Sequence, residues 1–185
     1  MHTALLLIDV QESFRQRPYW VEAAAQPFLT ACNSLVAGCL ARRIPVVRVL
    51  HSDGPAEATN PFAIESGHVR PLDGLVEFAH AAQFVKHRHS ALVGTGLSVW
   101  LHQHQIHRLI VAGIRTEQCC ETTTRHASDE GWQADFCAEA TLTFDMQHLD
   151  GRQLAASDIM ARTTAVLSGR FATICTVTQA LDRAA

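Results

Sequence analysis

Three residues of this chain carry complementary chemistry: an acid at position 9, an amine at 86 and a thiol at 119. Cys119 lies in Gly113-Ile114-Arg115-Thr116-Glu117-Gln118-Cys119-Cys120, directly after the apolar run Leu109-Ile110-Val111-Ala112. Such a run reads as a buried parallel strand, and Gly113 permits the turn that leaves it. Thr116 can cap the next helix, which places Cys119 in the first turn. There the positive end of the helix dipole favours thiolate, the form that attacks carbonyl carbon.

A thiol acting on an amide-like carbonyl needs a base for its proton, support for its charge, and donors for the oxyanion. Asp9 closes the apolar run Ala4-Leu5-Leu6-Leu7-Ile8 and can be the base, then the acid that protonates a leaving nitrogen. Lys86 ends Phe84-Val85-Lys86 and supplies a fixed positive charge. Backbone N–H groups of Arg115 and Cys119, at the helix start, are natural oxyanion donors. Each residue alone has an ordinary structural use. Their joint placement at strand ends points to catalysis.

The elements that must position them alternate along the chain. Strands are expected at 4–9, 45–50, 84–86, 106–113, 132–138 and 171–176, and helices at 21–43, 94–105, 117–131 and 150–167. Residues 51–71, with Gly54, Pro55, Asn60, Pro61, Gly67 and Pro71, read as a long surface loop of the kind usually given to function. Strands alternating with helices predict one α/β domain over 1–185 with a mainly parallel six-stranded sheet. In such sheets ligands sit beyond the carboxyl ends of the strands, where Asp9, Lys86 and Cys119 all fall.

Composition agrees with a globule: of 185 residues, 48% are hydrophobic and 18% charged. A formal net charge of -3 offers no electrostatic footprint for nucleic acid or an anionic membrane. The opening residues lack the basic start of a signal peptide, and no stretch reads as the ~20 apolar residues of a membrane span. The six cysteines (32, 39, 119, 120, 137 and 175) contain no Cys-x-x-Cys pair, so a reduced, cytoplasmic setting is expected.

Three segments together resemble the isochorismatase-like cysteine hydrolase superfamily, which includes nicotinamidases and N-carbamoylsarcosine amidohydrolases. Leu7-Ile8-Asp9-Val10-Gln11-Glu12-Ser13-Phe14 resembles its opening "hhDhQxxF" strand. Lys86-His87-Arg88-His89-Ser90-Ala91-Leu92-Val93-Gly94-Thr95-Gly96-Leu97 resembles "KxxxSAFxGTxL", and Gly113 to Cys120 resembles "GxxTxxCV". The resemblance implies Asp9 as general acid/base, Lys86 as its charged partner, Cys119 as nucleophile and a cis peptide between Ile114 and Arg115. It implies a three-layer α/β/α, Rossmann-like fold with strand order 3-2-1-4-5-6, and a homo-oligomer, dimer or tetramer, acting on a small molecule without a cofactor. Phe14, Gln11, Phe62 and Thr116 are the expected substrate-binding residues, with Tyr19, Trp20 and Trp100 as further candidates for the pocket wall.

Two features depart from the family pattern. Cys120 stands where valine is usual, and reads either as a small core residue or as a second thiol of a redox-sensitive pair in a catalytically silent member. Isochorismatases proper cleave a vinyl ether and lack the nucleophilic cysteine, so Cys119 favours C–N hydrolysis. The eleven histidines raise a metal reading. His102, His104 and His107 straddle a helix end and a strand start and are not expected to converge. His51, Asp53 and His68 resemble the ligands of metal-dependent nicotinamidases only in part, because the Asp-x-His order is reversed. The expectation is no metal, with that set as the alternative.

Overall fold

A computed structural model describes residues 2–184. Its strands are β1 (His2–Ile8), β2 (Val46–His51), β3 (Ala82–Lys86), β4 (Ile106–Ile114), β5 (Gln133–Leu142), β6 (Met146–Gln147), β7 (Gln153–Leu154) and β8 (Thr173–Cys175). Its helices are α1 (Glu22–Ala41), α2 (Leu97–Gln103), α3 (Glu121–Asp129), α4 (Ala156–Leu167) and α5 (Val177–Arg183). Six strands form a parallel sheet in the order β3-β2-β1-β4-β5-β8, while β6 and β7 pair separately as an antiparallel hairpin. The predicted order is therefore correct, with β8 as the sheet's sixth strand.

β1 shows why the fold is three-layered. Every residue from Thr3 to Ile8 is buried, because this central strand is covered on both faces. Leu5 and Leu7 join one apolar cluster with Phe28, Leu29, Cys32 and Leu35 of α1 and Ala180 and Leu181 of α5. Ala4, Leu6 and Ile8 join the other, with Leu97 and Leu101 of α2, Ala127 of α3 and Leu167 of α4. The period of two along the strand thus feeds two cores. Helix α1 has the length and apolar content to cross a membrane, contrary to the sequence expectation that no stretch would qualify. Its apolar stripe packs on the sheet instead.

Differences from the predicted elements are local and have physical reasons. The stretch expected to begin a helix at 150 is the hairpin, and α4 starts only at Ala156. Asp145 fixes this: its carboxylate accepts from the Ala156 N–H at 2.8 Å and from Gln153 Nε2 at 2.6 Å. The helix expected from 117 opens as a wider π-helical turn, Thr116–Cys120, before α3. Helix α5 escaped the sequence reading although its start carries a signal: the Thr176 hydroxyl accepts from the Gln179 N–H while Gln179 reaches back to the Thr176 N–H.

Candidate active site

The site forms where β1 lies between β2 and β4. Ile8 is in register with Val49 and with Gly113, so the ends of these strands meet. Gly113 has φ +136, and a Cβ there would collide with the Ile8 backbone carbonyl. Only glycine allows this approach. Asp9 follows Ile8 with φ +54, a left-handed conformation that aspartate tolerates better than most residues. Lys86 closes β3 opposite His51 of β2. The peptide bond between Ile114 and Arg115 is cis.

These backbones bring the three predicted residues together. The Lys86 ammonium is 2.8 Å from Asp9 Oδ2 and 3.2 Å from Cys119 Sγ, and both the lysine and the aspartate are inaccessible to solvent. It also reaches His51 Nδ1 at 3.1 Å and the Arg88 carbonyl at 3.2 Å. Beyond the ion pair, neither Asp9 oxygen takes a hydrogen bond from a described residue.

Burial sets the proton affinities. It raises Asp9 above the ordinary carboxylate range, against the pull of Lys86. Burial also opposes the charge on Lys86, but Asp9 and Cys119 outweigh it and the amine holds its proton more tightly than usual. Burial, reinforced by the Asp9 charge, pushes the Cys119 thiol up to about 12 despite Lys86. The resting sulfur is therefore a thiol. The helix-start argument for thiolate is outweighed by desolvation.

Cys119 opens onto a pocket of about 300 Å³ whose wall includes Phe14, Tyr19, His51, Phe62, His89 and Arg115. Phe14 and Phe62 meet edge to face at 5.1 Å, and both occupy the expected wall positions. Arg115 pairs with Glu117 at 3.1 Å and lies over Tyr19 and Phe144. Arg17, Asn60, His89 and Gln118 also line the pocket. His89 and Gln118 fall at variable positions of the matched segments and Asn60 in the long loop, so sequence reasoning gave none of them a role of its own, and Arg17 lies outside all of these.

Four expectations need correction. Gln11 is buried and off the pocket wall: its side chain accepts from the His51 N–H at 2.7 Å and donates to the His51 carbonyl at 2.9 Å. It clamps the end of β2. Thr116 is also buried; its hydroxyl bonds to that of Thr141 at 2.9 Å and neither caps the helix nor faces the pocket. Trp20 packs on Phe144, behind the wall residue Tyr19, and Trp100 stacks on His104 at 4.1 Å; neither lines the pocket. Cys120 is fully buried in the apolar cluster, matching the core reading.

The donor set does not fit a resident metal. Among the described residues no three His, Cys, Asp or Glu side chains gather as a metal cluster. His51 Nδ1 faces an ammonium, His51 Nε2 and Asp53 Oδ2 stand 3.8 Å apart, and His68 is not on the pocket wall. His102 and His104 bond to carbonyls within their own helical segment.

A doubly wound α/β domain with a buried acid, amine and thiol at its strand ends defines an architecture equipped for acid–base and nucleophilic chemistry. Comparison narrows it. The model of the Isochorismatase domain matches residues 3–179. An uncharacterized isochorismatase family protein, YrdC of Bacillus subtilis (strain 168), is 27% identical over 184 residues, covering 97% of this chain and 94% of that protein. Nicotinamidase 3 of Arabidopsis thaliana is 28% identical over 162 residues, covering 77% and 74%. The crystal structure of an isochorismatase-family protein from Chromobacterium violaceum ATCC 12472 superposes with a TM-score of 0.87 at 26% identity, covering 98% and 92%. The chain belongs to the isochorismatase family and is a hydrolase.

Proposed function

We propose that this hydrolase uses Cys119 to cleave the C–N bond of a small amide-like substrate through a thioester intermediate. The observation that carries this reading is the Lys86 ammonium bridging Asp9 at 2.8 Å and Cys119 at 3.2 Å beside a pocket. The similarity to a nicotinamidase supports the bond type.

In the proposed cycle the Asp9 carboxylate takes the Cys119 proton as Sγ bonds to the carbonyl carbon. Its raised proton affinity suits it to that step. The N–H groups of Arg115 and Cys119 hold the oxyanion. The tetrahedral adduct collapses, Asp9 returns its proton to the leaving nitrogen, and ammonia or an amine departs. Water then gives its proton to Asp9 as its oxygen attacks the thioester, releasing the acid and restoring the thiol. Lys86 stays an ammonium throughout and balances the charge that moves between Asp9 and Cys119.

Phe14 and Phe62 hold the substrate's apolar part, and the molecule acts as a homo-oligomer without a cofactor. Incubation with a panel of small amides, followed by quenching and intact-mass measurement, tests the mechanism. An acyl adduct on Cys119 and no turnover by Cys119→Ala are expected. Turnover retained by Cys119→Ala would sink it. Light scattering tests the oligomer.

A further inference from the structure

The Lys86 ammonium has three N–H groups and four acceptors around it: Asp9 Oδ2, Cys119 Sγ, His51 Nδ1 and the Arg88 carbonyl. One acceptor is surplus in any arrangement. The Arg88 carbonyl is backbone and Asp9 carries charge, so His51 and Cys119 compete for the remaining N–H.

His51 is placed for this from several sides. Gln11 grips its backbone N–H and carbonyl, and Phe62 packs edge-on at 5.9 Å. Because Nδ1 faces an ammonium it can only accept, so the ring is neutral with its proton on Nε2. That Nε2–H makes no hydrogen bond among the described residues, since Asp53 Oδ2 is 3.8 Å away. Lys86 from β3, His87 and His89 from the loop after it, and Asp53 from its own loop are the charged or titratable groups around the ring. Asp9 from the end of β1 and Cys119 from the turn before α3 face it across the Lys86 ammonium.

We infer that His51 is a fourth member of the site, competing with Cys119 for one Lys86 N–H and so weakening the lysine's support of thiolate. This rests on the proposed nucleophilic role of Cys119. With His51 in place, the thiol state satisfies all three lysine protons through Asp9, His51 and Arg88. Forming thiolate draws one N–H to sulfur and deprives either His51 or Arg88. Without His51 the thiol state loses a good acceptor while the thiolate state loses none. His51 is thus a positioning residue, acting on sulfur through Lys86.

Two measurements test this. The rate of Cys119 alkylation by iodoacetamide, followed by intact mass against pH, reads the thiol directly without a substrate. His51→Leu removes the acceptor, and its profile is expected to move down by about one pH unit. His51→Asn restores an acceptor near the Nδ1 position and is expected to keep the wild-type profile. No shift in His51→Leu, an upward shift, or an equal shift in both variants would overturn the inference. The second measurement uses the unsubstituted protein, so it stands if His51→Leu does not fold. The ¹⁵N imidazole signals of His51, assigned by their loss in His51→Asn, should show the neutral Nε2–H tautomer from about pH 5 to about pH 8. An Nδ1–H tautomer, or protonation within that range, would overturn it. If the tautomer is as expected while Cys119→Ala still turns over amides, the failure belongs to the proposed mechanism and not to the lysine contact.

Discussion

Two buried carboxylates in this molecule are treated in opposite ways. Glu121, two residues beyond Cys119, accepts from Arg125 at 2.9 Å, from Arg162 at 2.8 and 2.6 Å, and from Thr163 at 3.0 Å. Its guanidinium partners reach solvent, with side chains 33% and 59% exposed. The Asp9 carboxylate pairs with Lys86, itself fully buried, and takes no hydrogen bond beyond that ion pair from the described residues. A carboxylate whose two oxygens are engaged by two arginines and a threonine ties α3 to α4. A carboxylate left with unused lone pairs, next to a thiol and an ammonium, is ready to receive a proton. The difference separates a structural ion cluster from a reactive one.

The largest effect that tests this contrast is on turnover. Asp9→Asn removes the proton acceptor, and amide hydrolysis should fall roughly 10²- to 10⁴-fold. If Asp9→Asn keeps most of its activity, the unused lone pairs have no catalytic meaning. The converse is Glu121→Ala, which strips the acceptor from two arginines and a threonine. It should lower unfolding free energy in urea by about 3 kcal/mol, because buried charge-assisted bonds are lost while the arginine heads can turn to water. Turnover per folded molecule should stay within a few-fold of wild type. A catalytic collapse without destabilisation would reverse the roles assigned to the two carboxylates.

The contrast also marks what the amino-acid sequence disclosed. Asp9, Lys86 and Cys119 were legible because each ends a strand or starts a helix, and a parallel sheet gathers such ends. Gln11 and Thr116 were misread because their partners are far away in the chain: His51 across the strand ends for one, Thr141 on β5 for the other. No local pattern encodes whether a buried polar side chain meets substrate or another strand. His51 was weighed only as a metal ligand, since its lysine partner is visible only after β2 and β3 are paired. The wall residues Arg17, Asn60, His89 and Gln118 come from loops and a helix turn whose course composition does not fix.

A smaller effect is expected in the pH dependence of stability. Burial, then the charge on Lys86, lowers His51 from 6.5 to about 4. Between those values the unfolded chain binds a proton at this ring and the native state does not. Stability therefore rises with pH through that window and is level above it, as far as this ring is concerned. His51→Asn removes the ring and should flatten this part of the acid limb when urea midpoints are compared from about pH 4 to about pH 6.5. An unchanged slope would mean that the imidazole stays free to protonate in the folded protein, and the reactive cluster would then have lost one of its members.

The smallest effect concerns the wall and not the charges. Phe62 touches both Phe14 and His51, with ring centroids 5.1 and 5.9 Å away, so one loop side chain joins the apolar wall to the reactive cluster. Phe62→Leu keeps an apolar group but loses both edge-to-face contacts, each worth about 0.5–1.5 kcal/mol in aromatic pairs. If the ring serves mainly to hold substrate, KM should rise about three- to tenfold with kcat nearly unchanged. If its packing on His51 matters to the thiol, the iodoacetamide profile of Cys119 should move as well. A change in KM alone would confine the loop to recognition, and a change in both would join it to the group that Asp9 leads.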